Sequence, residues 1–292
     1  MDITSFIRNS NKPLILDGAI GSLLQQKGIP FDDNLWTAKA NIDNPNLVKE
    51  IHENYINADA DIISTNTFRT NPAVYYKSNL KVSNKDFIKS AVDLAKSVKT
   101  KNTLIAGCNP PAEDSYKSKR EISQSELEIN HQFHINTLWE NGVDFILNET
   151  LSHKDEIIFT AQYCNYNKIP FITSLFFNND LTLLSGEKLI DIIKELQSYN
   201  PILISFNCIS LNSFENLVTN IDLQKIIFGF YLNCGSGNYN DKNISCGVTP
   251  ESYSQFVNKY LYLNPKIIGS CCGSYYNHTK EIRKLIDEVY RD

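Results

Sequence analysis

The stretch "DFILNETLSHKDEIIFTAQYCNYNKIPFITSLF", residues 144–176, holds two short apolar runs, "DFILNE" (144–149) and "FITSLF" (171–176), around a segment that reads as a helix over 153–165. Neither run alternates apolar with polar. Both faces of each strand are therefore expected to be covered, as in parallel strands enclosed by helices. Six further runs of the same kind are "LILD" (14–17), "DIISTN" (61–66), "TLIAGC" (103–108), "ILISFNC" (202–208), "IIFGFYLNC" (226–234) and "KIIGSCC" (266–272). Helices are expected near 45–57, 85–99, 124–140, 186–198, 212–219, 250–260 and 278–290 as well. The last places Ile282, Leu285, Ile286 and Val289 on one face.

Local start signals agree. Asn44-Pro45 and Thr249-Pro250 each supply a capping residue followed by proline at the first helical position, and Ser123 with Glu126 forms a capping box. Strands each followed by a helix predict an α/β fold of the (β/α)₈ barrel type, with residues 1–292 as a single domain. An open doubly wound sheet shares the alternation, but no GxGxxG or phosphate loop follows any strand; "GSGN" (235–238) lacks the third glycine and the helix start.

The connections are asymmetric. Helix-to-strand links such as "ENG" (140–142) are short, whereas strand-to-helix links include residues 18–41, 109–122 and 235–248. The long loops would share the C-terminal face of a barrel, where such folds build their sites.

Bulk properties narrow the classes of function. With 42% hydrophobic and 21% charged residues the chain is an ordinary globular protein able to bury a core. A net charge of −5 with interspersed signs offers no basic stripe for nucleic acid. No long apolar window or secretory leader is present, which predicts a cytoplasmic protein with no membrane partner. The seven cysteines sit in or beside apolar segments, so disulfides are the weaker explanation for them. No heptads or long exposed apolar helix faces announce an oligomeric interface.

Seven of the eight strands end in polar or thiol groups: Asp17, Asn66, Cys108, Glu149, Asn207 with Cys208, Asn233 with Cys234, and Cys271 with Cys272. The fifth ends in Phe176 and Phe177. A buried polar group left unpaired costs about 1–3 kcal/mol, so these residues need partners or a substrate. Cys164 and Cys246 read as small hydrophobic filler, and His131 and His134 as helix-surface or core-edge residues rather than metal ligands. The pair Cys271–Cys272 differs, because the chain turns at Gly273 and both sulfurs can reach one centre. A third thiolate from Cys208 or Cys234 would complete three zinc ligands with the fourth position open.

These residues resemble the zinc-dependent homocysteine S-methyltransferases, whose domain also occurs in betaine–homocysteine methyltransferase and at the front of methionine synthase. The likeness rests on "LDGAIGSLLQQKG" (16–28), "LWTAKANIDNPNLVKEIHENYINADADIISTNTF" (35–68), "NET" (148–150), "SFNC" (205–208) and "GSCCG" (269–273), in that order. It implies Zn²⁺ as cofactor, held by Cys208, Cys271 and Cys272, with Glu149 on the α-ammonium of homocysteine and Asp17 and Gly18 beside its amino-acid moiety. Ala19 stands where the family has a second glycine, and Ser270 where a glycine commonly precedes the cysteine pair. "GCNPP" (107–111) is only loosely like the family's turn after the third strand.

The activity implied is transfer of a methyl group from a cationic donor to homocysteine thiolate, giving methionine. A coordinating thiol is deprotonated outright, so the transfer needs no separate base. Likeness to the stand-alone enzymes points to S-methylmethionine or S-adenosylmethionine as donor, with a betaine- or dimethylsulfonio-type donor as the alternative. An inactive zinc- or thiol-amino-acid-binding protein is the reading from another class. Phe31 and Trp36 of the first loop, with Asn66, would help form the donor pocket. The competing reading is an ordinary surface loop with Trp36 packed inward.

Overall fold

A computed structural model describes residues 2–236 and 244–291. Its centre is a barrel of eight parallel strands: β1 (Leu14–Ile15), β2 (Ile62–Ser64), β3 (Leu104–Asn109), β4 (Phe145–Leu151), β5 (Phe171–Leu175), β6 (Ile204–Asn207), β7 (Phe228–Leu232) and β8 (Ile267–Ser270). Neighbours in sequence pair in parallel from β2 to β8, and β8 pairs with β1. The ring closes between β1 and β2, where Asp17 N donates to Ile62 O and Asp61 N to Ile15 O.

The helices α1 (Pro45–Asn57), α2 (Asn84–Val98), α3 (Gln124–Glu140), α4 (Lys154–Tyr166), α5 (Leu189–Gln197), α6 (Leu211–Asn220), α7 (Pro250–Asn258) and α8 (Tyr276–Val289) surround it. Their faces follow the helical period. In α2, Phe87, Ile88, Ala91, Val92 and Ala95 are buried along one stripe. In α8, Ile282 and Ile286 are buried and Leu285 partly so, but Val289, in the last turn, is exposed. The capping box at Ser123 and the Thr249 cap form as expected. Asn44 makes no side-chain cap; it ends the short helix Ala40–Asp43 and offers only its carbonyl to Leu47 N and Val48 N.

The lower rim is tied by carboxylates set just before strands. Asp61 accepts from Ile15 N at 2.8 Å and from the Arg283 guanidinium at 2.6 Å, joining β1, β2 and α8. Asp144 repeats the device with Ile105 N and Lys99. Asp61→Ala would leave the Ile15 N–H unpaired and take from half-buried Arg283 its closest carboxylate, leaving it the Asp59 carbonyl and Asp287. A loss of about 2–3 kcal/mol is expected in denaturant unfolding, and a loss below about 0.5 kcal/mol would show that the rim closes without this link.

Two readings of single residues are corrected. His131 and His134 are not at the helix surface; both are fully buried. His131 Nε2 meets Glu156 Oε1 at 2.8 Å, and His134 meets Thr70 Oγ1 and Asn109 Oδ1, each at 2.9 Å. The partners come from the segment after β2, the end of β3 and the helix α4, and burial holds His134 down to about 3. Cys246 is not filler either. It is exposed, in a short antiparallel ladder of Gly235–Ser236 with Ser245–Cys246. Cys164 is buried in α4 as expected.

Candidate metal centre and amino-acid pocket

The upper ends of the strands surround a cavity of about 360 Å³ lined by Asp17, Gly18, Phe31, Trp36, Asn66, Glu149, Cys208, Cys271 and Cys272, which brings every residue expected at the site into one place. Strand alternation decides which thiols reach it. On β7, Tyr231 and then Asn233 face the cavity, so Cys234, one residue further, turns outward and is fully buried away from it. On β6, Cys208 leaves the strand in a left-handed conformation, φ 54°, that swings it toward β8.

The Sγ atoms of Cys208, Cys271 and Cys272 all lie within 4.8 Å of one another. Three thiolates around one tetrahedral zinc at about 2.3 Å would be roughly 3.8 Å apart, so the donor set fits a single ion. In the structure Cys208 and Cys271 are joined as a disulfide across Cα atoms 5.6 Å apart, and Cys272 is a free thiol beside them. The two strand ends converge closely enough to bond, and metal ligation requires the reduced form.

The turn after the pair is sterically fixed. Gly273 has φ 82° and its amide donates to Ser22 Oγ at 3.0 Å; a Cβ there would strike Gly235. Ser274 then accepts from Ala19 N at 3.1 Å, while Tyr55 Oη donates to Ala19 O at 2.8 Å. A Cβ on Gly18 would lie 2.7 Å from both Ser274 Oγ and Tyr55 Oη, so glycine is required there. Ala19 does not adopt a positive φ, so its backbone does not call for glycine and alanine is accommodated. Ser270 is buried beside the pair with no hydrogen-bond partner for Oγ among the described residues.

Two carboxylates share the cavity with the thiols. Asp17, buried at the end of β1, accepts from Ser64 N at 2.8 Å and from Ser64 Oγ at 3.1 Å. Burial, aided by the nearby charge of Glu149, pushes its carboxyl well above the usual range. Glu149 keeps part of its surface open to the cavity and accepts the Cys108 thiol at 2.8 Å. It too is raised by burial, against the hydrogen bonds of Cys108 and Tyr231. Burial and Glu149 lift the Cys272 thiol to about 12.

The first loop forms a wall. Asp32 and Trp36 exchange backbone hydrogen bonds, and Asp32 Oδ1 accepts from Asn34 N and Leu35 N. The Trp36 ring covers Gly21 and meets Phe68 edge-on at 6.1 Å, so it is packed inward and lines the cavity at once. Asn66 also lines it, with its side-chain amide donating to Asn41. Sequence reasoning missed Arg69, Asp114, Tyr116 and Tyr231 in the cavity wall. Nothing local separates Arg69 or Asp114 from surface charges. Tyr231 was hidden in an apolar run, where a hydroxyl at an inward position was the available signal.

The profile of the homocysteine S-methyltransferases matches residues 14–286. The chain belongs to the homocysteine S-methyltransferase family. Among its relatives, homocysteine S-methyltransferase of Escherichia coli is 24% identical over 89% of this chain and 90% of its own length, and homocysteine S-methyltransferase 2 of Arabidopsis thaliana 22% over 96% and 95%. Selenocysteine Se-methyltransferase of Brassica oleracea is 23% identical over 93% and 88%. The homocysteine methyltransferase MmuM of E. coli superimposes in its metallated form with a TM-score of 0.78 at 22% identity, covering 97% of this chain and 100% of that one. Its oxidized form gives 0.80, covering 97% and 99%. This member of the family thus shares the barrel of a relative solved both with metal and oxidized.

Proposed function

We propose that this protein is a zinc-dependent homocysteine S-methyltransferase that forms methionine from homocysteine and a cationic sulfonium donor, S-methylmethionine or S-adenosylmethionine. The observation that carries the reading is the convergence of three cysteine thiols and two carboxylates, Asp17 buried and Glu149 half-buried, on one cavity, a layout matched to an amino acid that ends in a thiol. Cys208, Cys271 and Cys272 would hold the zinc, which when bound supplies a deprotonated, oriented acceptor sulfur. Glu149 and Asp17 would hold the α-ammonium, a cation that would relieve the burial of both.

The remaining residues orient and shield. The sulfur attacks the donor methyl carbon, the donor's C–S bond breaks, and its electron pair leaves with the neutral thioether. No proton moves in that step, which agrees with a cavity whose carboxylates are engaged by Ser64 and Cys108. The rings of Phe31, Trp36 and Phe68 and the carboxylates of Asp32 and Asp33 suit a positive donor. In this reading residues 1–292 work as one domain on small molecules, and three reduced thiols favour the cytoplasm. Among the described residues no helix is long and apolar enough to cross a membrane.

The test is zinc content and methionine formation measured on the same reduced preparation, with S-methylmethionine, S-adenosylmethionine, a betaine and a dimethylsulfonio donor. About one equivalent of zinc and turnover with a sulfonium amino acid are expected. Bound zinc without methyl transfer from any donor would sink the enzyme reading. For Trp36→Ala the KM of the donor should rise about tenfold while that of homocysteine stays put, since a desolvated cation–π contact contributes about 1–2 kcal/mol. An unchanged donor KM would reduce Trp36 to loop packing.

A further inference from the structure

Arg69 follows β2, and β2 lies diametrically across the barrel from β6, which carries Cys208. Arg69 lines the cavity from the loop that follows β2. The guanidinium is 5.8 Å from the centre of the Phe68 ring, and Nη1 donates to the Glu113 carbonyl at 3.1 Å. Among the described residues it closes no ion pair; the Glu113 carboxylate is taken by Glu121 N, Ile122 N and Lys77. Asp114, also in the cavity wall, acts on Arg69 through space, and its Oδ1 accepts from Tyr116 N at 3.0 Å. The cavity therefore holds two charged pairs: Asp17 with Glu149 at the strand ends, and Arg69 with Asp114 in the loops that follow β2 and β3.

We infer that Arg69 and Asp114 form a second amino-acid head site, in which the guanidinium takes the α-carboxylate and Asp114 the α-ammonium of the methyl donor. A planar fork of N–H groups recognises a carboxylate and a second acid at its side recognises an ammonium, so the pair selects an α-amino-acid sulfonium. A betaine lacks the primary ammonium, and a simple sulfonium lacks both groups. This deepens the proposed methyltransferase reading and rests on it. Arg69 is a specificity residue at the far end of the donor, away from the reacting sulfur.

The experiment compares kcat/KM of the reduced, zinc-loaded enzyme for S-methylmethionine, its methyl ester, its N-acetyl derivative and trimethylsulfonium, with S-adenosylmethionine as a second amino-acid donor. Wild type should prefer S-methylmethionine to its methyl ester by about 30-fold, the scale of a charge-assisted pair. In Arg69→Met that preference should collapse to about onefold, with trimethylsulfonium turnover and the homocysteine KM unchanged. Asp114→Asn should likewise erase discrimination against the N-acetyl donor. If Arg69→Met fails to fold, Arg69→Lys, which keeps the charge without the fork, should lose about tenfold on S-methylmethionine alone. Equal rates in wild type from S-methylmethionine and its ester overturn the assignment, as does an equal loss on every donor or a rise confined to the homocysteine KM. No methionine from any donor would instead defeat the methyltransferase reading itself, and the head site with it. Parallel behaviour of S-methylmethionine and S-adenosylmethionine in Arg69→Met would assign the site to the shared head group; loss on one alone would restrict it to that donor.

Discussion

Cys272→Ser is expected to abolish methyl transfer and to lower zinc from about one equivalent to below a tenth under the same reducing conditions. Of the three thiols within 4.8 Å of one another, Cys272 is the one not engaged in the Cys208–Cys271 bond, so its replacement leaves the other two able to pair. A serine hydroxyl is a far harder and more basic ligand than a thiol, and a two-sulfur site holds zinc poorly. The loss in kcat/KM should reach about 1,000-fold, equivalent to several kcal/mol of Lewis-acid assistance. Far-ultraviolet circular dichroism should stay unchanged, because the Cys272 carbonyl, which accepts from Cys234 N, is untouched. Full zinc occupancy and turnover in this variant would remove Cys272 from the site.

Glu149→Gln should raise the homocysteine KM by about 100-fold and leave zinc content intact. The substitution keeps shape and an acceptor for the Cys108 thiol while removing the charge that would pair with the α-ammonium. Breaking one side of a desolvated charge pair costs about 2–5 kcal/mol, and the lower part of that range applies here because Glu149 retains some exposure to the cavity. Asp17 remains as a second acid, but Ser64 already occupies its carboxylate. A homocysteine KM within threefold of wild type would show that Glu149 shapes the cavity without binding the amino group. Loss of zinc instead would mean that the carboxylate supports the metal.

Much of this layout was legible because strand and helix signals are local. Residues 144–176 already contain a buried strand, a crossover helix and the next strand, and the structure places these elements at Phe145–Leu151, Lys154–Tyr166 and Phe171–Leu175. The site was legible for a related reason: residues ending consecutive parallel strands must share one rim, so Asp17, Glu149, Cys208 and the Cys271–Cys272 pair could be brought together before any coordinates. Readings failed where the partner came from a distant segment. His131 and His134 read as helix-surface or core-edge residues because nothing in α3 announces that Asn109, Thr70 and Glu156 will cover them.

By itself, then, the sequence determined the alternation of strands and helices, the polar strand ends and the glycine at which the chain turns beyond the paired thiols, since each depends on a few neighbouring residues. Only the tertiary structure decided which side chains at those ends look inward. Cys208 enters the cavity through a left-handed turn while Cys234 is carried outward by the pleat of β7. Arg69 and Asp114, unmarked in the chain, line the same space from the loops after β2 and β3. Barrel closure sets these directions, because it fixes the rotation of every strand against both of its neighbours and so aims side chains that local propensity leaves free.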